Sequence, residues 1–142
     1  MHTIGRVKRV EDTKWDFQPE GFNNNIRWHA GHIFATVELF AQQSVKSYEP
    51  VYPDWIPLFT DGTSPDEWRE NVPSSEEILA ALREQPKWII PFFEEKLEEK
   101  MVEPLVIGND ILTIDTIEGI VQFLSWHEGT HAGTIDALNR LK

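Results

Sequence analysis

Apolar residues recur every three or four positions in four stretches of this chain, a spacing typical of amphipathic helices. The first stretch covers roughly residues 2–14 and is short, with Ile4, Val7 and Val10 as its apolar positions. The second follows the run Asn23-Asn24-Asn25, whose side chains are suited to cap a helix N-terminus. We expect this second helix to run for about 20 residues. Its main apolar face consists of Ile26, Ala30, Ile33, Val37 and Phe40.

A capping box opens the third stretch, because Ser74 is followed three residues later by Glu77. Pro86 and Pro91 lack amide hydrogens, so we expect them to kink or interrupt this helix. Its apolar side is formed by Ile78, Leu79, Leu82, Ile89, Phe92 and Phe93. Residues 48–73, which precede it, carry repeated prolines and predict a long irregular loop of the kind that is often functional.

The last helix is predicted to begin at the capping pair Asp115 and Glu118. Its apolar stripe contains Ile117, Ile120, Val121, Leu124, Ile135, Leu138 and Leu141. Just before it, short apolar runs flank Gly108-Asn109-Asp110, which predicts a small hairpin. The pattern as a whole favours an all-α helical bundle, with a long loop between the second and third helices.

The composition indicates a single folded domain over residues 1–142, since 40% of the residues are hydrophobic. No apolar run approaches the ~20 residues needed to cross a bilayer. The N-terminal residues lack the apolar core of a signal peptide, so we expect a cytoplasmic protein with no membrane partner. The net charge of −11 opposes binding to nucleic acid. Because the chain has no cysteine, any metal must be held by nitrogen or oxygen donors.

Two histidines fill the middle of the apolar stripe of the last helix. His127 and His131 are four residues apart, so both rings can point from one helix face to the same place. A buried imidazole needs partners for both ring nitrogens, and a shared metal ion would satisfy the two together. The alternative is a pair of hydrogen-bonded core histidines.

A third ligand is expected from the second helix, where His29 and His32 are three residues apart. Helical phase places His29 at the border of the main apolar face and His32 on the neighbouring face. Periodicity therefore leans slightly towards His29 but does not decide between the two.

The residues from His127 to His131 also match the HExxH pattern, in which two histidines bind zinc and the glutamate is the general base. Glu128 is therefore a candidate catalytic residue. The alternative is an exposed side chain, because Glu128 points about 100° away from the shared face. Gly129 weakens the helix within the pattern, and few residues follow it to carry a further ligand, so a peptidase is not expected.

Three segments together resemble the DinB/YfiT-like superfamily of metal-binding four-helix bundles. Residues 25–33 are similar to its N-x-x-W-x-x-G-H pattern, residues 58–63 to the loop before its third helix, and residues 127–133 to its closing H-x-x-x-H motif. The resemblance implies that His32, His127 and His131 bind one divalent transition metal, zinc or nickel in preference. His29 then lies outside the ligand set.

The resemblance also implies a function, because members of this superfamily are implicated in transferring low-molecular-weight thiols to small electrophiles. It favours a metal-dependent thiol S-transferase, with a thiol of the bacillithiol type, or a hydrolase that activates water. The rival interpretation is a metal-stabilised binding or stress-response protein without turnover. The aromatic residues expected to form a substrate pocket, or else to pack in the core, are Trp28, Trp55, Phe59 and Trp126.

We also expect a homodimer. The short first helix should leave apolar surface uncovered, such as Val7, Val10 and parts of the third helix.

Overall fold

The computed structural model describes residues 2–141, most of which lie in helices. The helices are α1 (His2–Val7), α2 (Ile26–Ser44), α3 (Ile56–Phe59), α4 (Ser75–Glu84), α5 (Pro86–Glu94) and α6 (Ile117–Arg140). Two strands, β1 (Lys100–Ile107) and β2 (Leu112–Thr116), precede α6. Short 3-10 turns occur at Asp12–Lys14, Pro53–Trp55 and Pro65–Glu67.

The longest helices, α2 and α6, pack against each other and carry most of the core between them. Helix α6 also contacts α1, and α4 contacts both α1 and α2. One cluster of buried side chains, including Trp15, Phe34 and Phe59, lies between α1, α2, α3 and α4. A second cluster, including Ile117 and Ile120, lies between α5, the strands and α6. The predicted helical architecture is therefore present.

The predicted caps of the second and third helices are confirmed. Asn25 caps α2 by accepting a hydrogen bond from the backbone N–H of Trp28 at 2.9 Å. Ser74 and Glu77 form the capping box of α4. The predicted third helix is interrupted at Gln85, and Pro86 begins α5, because a proline has no amide hydrogen to donate to the preceding turn.

Two predicted helix boundaries are wrong. Helix α1 ends at Val7 instead of continuing to residue 14, and the next element is a separate 3-10 turn. Helix α6 is capped by Thr116, whose hydroxyl accepts from the backbone N–H of Gly119 at 3.1 Å. Asp115, predicted as the cap, instead pairs with Lys100 at 2.6 Å. A threonine hydroxyl caps a helix about as well as an aspartate carboxylate does. The sequence alone therefore did not distinguish Thr116 from Asp115 as the cap.

The prediction of an all-α fold is corrected by the two strands, which form the predicted hairpin. The strands are antiparallel, with Leu105 opposite Ile114 and Ile107 opposite Leu112. The turn between them has positive φ values at Gly108, Asn109 and Asp110, of 64°, 52° and 68°. Glycine, asparagine and aspartate tolerate this left-handed conformation, which is why the turn forms here.

The loop of residues 48–73 is also more regular than its prolines predicted. Pro53, Pro57 and Pro65 each occupy the first turn of a short helix or 3-10 turn, where a missing amide hydrogen costs little. These short elements bury Trp55 and Phe59 against α2. The prolines were interpreted as a sign of irregular structure, but in the fold they mark the first turns of short helices.

A buried carboxylate joins this loop to the helices. Glu38 on α2 is completely buried and accepts four hydrogen bonds. Its donors are Tyr48 Oη at 2.6 Å, the Val51 backbone N–H at 2.9 Å, Gln85 Nε2 at 2.9 Å and Trp88 Nε1 at 3.0 Å. Both oxygens are thereby satisfied without a cation, so this charge holds α2, the loop and α5 together. Burial, with the hydrogen bond to Glu38, strongly raises the pKa of the Tyr48 phenol.

Val7 and Val10, which the sequence suggested were uncovered, are buried within the chain, with 0% and 8% of their surface exposed. Both belong to the core cluster that contains buried side chains of α2, α4 and α6. The part of the reason for a homodimer that rested on Val7 and Val10 is therefore wrong. Ile90 on α5, within the predicted third helix, is 48% exposed, and the dimer itself stays a prediction. Within residues 2–141, no helix is long and apolar enough to cross a membrane.

Helix α3 lies against α2 at Gly31. A methyl group added at Gly31 would come within 2.6 Å of the Phe59 ring, which is itself completely buried. Only glycine permits this approach, so Gly31 determines how closely the loop packs on α2.

We predict that Gly31→Ala lowers the free energy of unfolding by about 1–3 kcal/mol, because the buried ring has little space into which to move. Gly133→Ala on α6 is the matched control, since a methyl group there has no neighbour within 4 Å. Alanine should stabilise that exposed helical position by roughly 0.5–1 kcal/mol. Urea denaturation of the two variants and the parent chain measures both effects. Equal behaviour of the two variants would contradict the proposed packing role of Gly31.

Candidate metal centre

Three histidines from two helices converge at one place. His32 projects from α2, and His127 and His131 project from successive turns of α6. One ring nitrogen of each lies within 4.8 Å of the others. The ring centroids are 4.4 Å apart for His127 and His131, 4.4 Å for His32 and His131, and 4.8 Å for His32 and His127. These three side chains are the set that the family resemblance implied.

The orientation of His32 is determined by its surroundings. Its Nδ1 donates a hydrogen bond to the backbone carbonyl of Phe59 at 2.6 Å, and Trp28 stacks on its ring with centroids 4.4 Å apart. Because a carbonyl oxygen can only accept, Nδ1 carries the ring proton and Nε2 keeps its lone pair. That Nε2 lies 2.9 Å from His127 Nε2. Two nitrogens on one tetrahedral zinc ion are about 3.3 Å apart, so the observed spacing is close to that of a metal site.

His29 also contacts the α6 histidines, although it is outside the group of three. Its Nδ1 lies 2.9 Å from Nδ1 of His131. If His131 donates in this contact, its Nε2 keeps a lone pair directed away from His29. Both histidines of α2 are buried, and each has a ring nitrogen 2.9 Å from one of a different α6 histidine, which is why helical periodicity could not choose between them.

Burial keeps all four imidazoles in the neutral form. Burial, together with repulsion among these rings when they are protonated, lowers the pKa of His29 to about 4, of His127 to about 4 and of His131 to about 3. Burial likewise lowers the pKa of His32. Neutral imidazoles at physiological pH are the form that binds a transition metal.

A cavity of about 830 Å³ opens beside the three histidines. Its walls come from α2, from α6 and from the hairpin formed by β1 and β2. The apolar side chains that line it include Leu39, Phe40, Val106, Leu112, Phe123 and Trp126. His127 and His131 are only half-buried, so they face this cavity instead of the closed interior that their position in the apolar stripe indicated.

Of the four aromatic residues expected to form a pocket, only Trp126 lines this cavity, and 64% of its surface is exposed. Trp28, Trp55 and Phe59 are instead buried in the core, as the alternative interpretation expected. Trp55 packs against Phe34, Phe59 packs against Trp68, and Trp28 Nε1 donates to Thr63 Oγ1, which are contacts that residue type alone does not reveal.

Glu128 is directed away from the histidines. Its Oε1 accepts a hydrogen bond from Thr3 Oγ1 at 2.5 Å, which ties α6 to α1. It lines a separate cavity with Gln85 and Leu124. The rotation of about 100° per helical residue explains this placement. A catalytic role for Glu128 stays a prediction, and the contacts of its carboxylate favour a packing role.

Sequence reasoning missed several residues of the site. Asp61, which follows α3, and Thr36 on α2 line the cavity, as do residues of the hairpin. The one available signal was the position of Asp61 within the loop segment of residues 58–63 that carried the family resemblance.

Comparison with known families adds one finding. The model of the DinB superfamily matches residues 1–135, a span that contains all three histidines. No curated protein matches the chain.

We predict that the metal-free protein loses stability as the pH falls from about 6.5 to about 4. An unfolded chain protonates its histidines near their ordinary pKa of 6.5, whereas burial lowers the pKa of His29 and His127 to about 4 in the folded chain. The unfolded state therefore binds more protons in this window, and acidification favours it. Urea denaturation of chelator-treated protein between about pH 7 and about pH 5 measures the effect. An unfolding free energy that is constant over this range would contradict the neutral, buried state of the histidines.

Proposed function

Because this chain belongs to the DinB superfamily, we propose that it binds one divalent transition-metal ion through His32, His127 and His131 and activates a low-molecular-weight thiol. Activation of water is the related alternative at the same site. The observation that carries the proposal is the convergence of three neutral imidazoles on the wall of an open cavity.

The donor set fits such an ion. All three donors are imidazole nitrogens, which suit zinc and nickel, and the chain offers no thiolate to compete with them. Three protein ligands also leave a coordination position for an exogenous molecule, which is the arrangement of catalytic zinc sites. The cavity beside the histidines gives such a molecule access.

The residues around the histidines prepare them to bind the ion. The Phe59 carbonyl holds His32 in the tautomer whose Nε2 is free, and the contact with His29 can do the same for His131. A divalent ion in this position would lower the pKa of a bound thiol or water towards neutrality.

The apolar walls favour a thiol with a small electrophile over plain hydrolysis, since Phe123, Trp126 and the hairpin side chains give an electrophile apolar surface to bind. In the proposed transfer, the thiol loses its proton to solvent and the sulfur forms a bond to the electrophilic carbon. The leaving group departs with the electron pair of the bond that breaks. The cavity positions the two reactants and excludes part of the surrounding water.

We predict that the protein purified without a metal-affinity tag contains about one zinc or nickel ion per chain. His32→Ala and His127→Ala should lose this ion, because each removes one of three ligands. His29→Ala is the matched control: His29 lies on the same helix, is equally buried and also contacts an α6 histidine. Elemental analysis measures the metal content. Retention of the full metal content by His32→Ala and His127→Ala would show that the proposed site is wrong.

We further predict that His131→Ala abolishes thiol transfer, whereas His29→Ala weakens it by about 10–100-fold, the usual effect of losing a group that orients a ligand. The measurement is product formation by metal-reconstituted protein with a panel of thiols and small electrophiles. Equal loss in both variants, with the metal also lost from His29→Ala, would assign His29 to the ligand set. If the metal-bound protein is inactive with every combination, the non-catalytic interpretation is favoured.

A further inference from the structure

The cavity beside the histidines has an uneven distribution of charge. Among the described residues that line it, Asp61 is the only one with a carboxylate, and none is a lysine or an arginine. The rest of the lining is apolar apart from the histidines and two threonines, Thr36 and Thr60. A molecule in this cavity therefore meets imidazoles at one place and a single negative charge at another.

The segment that carries Asp61 is held in place by hydrogen bonds. Thr63 Oγ1 donates to the Thr60 carbonyl at 2.6 Å and accepts from Trp28 Nε1 at 2.9 Å. Trp28 stacks on His32, so the turn that carries Asp61 is connected directly to the histidine group. Gly62 has a φ of 85°, a left-handed conformation that glycine adopts readily, and this allows the sharp turn after Asp61.

The carboxylate of Asp61 is available to a ligand. Its side chain is exposed, and no ion pair among residues 2–141 involves it. Its charge acts on the histidine group: burial lowers the pKa of His32 and of His127, and Asp61 partly opposes that change. A carboxylate that acts on these imidazoles also acts on a molecule bound between them and the loop.

We propose that Asp61 makes this cavity selective for thiols that carry a cationic amine, with the sulfur directed to the histidine group and the ammonium group to the Asp61 carboxylate. This inference rests on the proposed function, since it assumes that a thiol binds at the histidines. An anionic thiol of similar length is repelled by the same carboxylate.

Cobalt-loaded protein provides a test that does not depend on turnover, because thiolate binding to cobalt(II) produces an absorption band in the near ultraviolet. The probes are cysteamine, 2-mercaptoethanol and 3-mercaptopropionate, which are cationic, neutral and anionic thiols of similar length. The cationic group also lowers the pKa of its own thiol. The decisive quantity is therefore the affinity for each thiol relative to 2-mercaptoethanol, compared between the parent chain and Asp61→Asn. The difference in thiol pKa among the probes is the same for both proteins and cancels in this comparison.

We predict that Asp61→Asn lowers the affinity for cysteamine relative to 2-mercaptoethanol by about fivefold, the upper range for an exposed ion pair. Affinity for 3-mercaptopropionate should rise, and affinity for 2-mercaptoethanol should stay within about twofold, which also shows that the site is intact. The preference of the parent chain should weaken at about 1 M salt, where the Debye length is ~3 Å.

Asp66→Asn is the matched control, because it removes the same charge from the same loop. Asp66 lines a neighbouring polar cavity but not the cavity of the histidines. An equal effect of Asp66→Asn would overturn the inference, since the selectivity would then reflect the overall charge of the loop. An unchanged thiol preference in Asp61→Asn would overturn the inference while leaving the proposed function intact. If no thiol changes the cobalt spectrum of the parent chain, thiol activation fails, and the inference fails with it.

Discussion

The contact between α3 and α2 is the constraint on which the histidine site depends. The Phe59 ring lies against Gly31, and the backbone carbonyl of the same residue accepts the proton of His32 Nδ1. One residue thus serves both the core and the site. The buried carboxylate of Glu38 holds the beginning of the same loop through Tyr48 and Val51, so the position of α3 is determined from both sides. A backbone carbonyl is a suitable orienting group, because no side-chain substitution removes it.

The four imidazoles contact one another in two pairs. His32 pairs with His127 and His29 with His131, each at 2.9 Å. Because burial favours the neutral forms, these pairs avoid the repulsion that protonated rings would suffer.

Much of the fold was predictable from local sequence signals, whereas the surroundings of the site were not. The periodicity of α2 and α6, the capping box at Ser74 and the turn at Gly108 each depend on neighbouring residues, and each prediction is confirmed. The spacing of His127 and His131 was sufficient to place their rings together. Local signals did not identify the third histidine of the group, because both His29 and His32 are buried and contact α6. Only the family resemblance distinguished them. The burial of Glu38 and the cavity position of Asp61 depend on how a distant loop packs, and no local pattern records that.

The hairpin gives the cavity a wall that supplies none of the hydrogen bonds orienting the histidines, although it packs against α2 and α6. Its side chains Val106 and Leu112 line the cavity, and its turn has a left-handed backbone at Gly108, Asn109 and Asp110, which these residue types tolerate. The histidines lie on α2 and α6, and their orienting contacts come from α3 and from α2 itself. Changes in the size of Val106 or Leu112 would therefore reshape the cavity without removing a contact that orients an imidazole. In evolutionary terms, the shape of the cavity and the histidine centre can diverge separately on this scaffold.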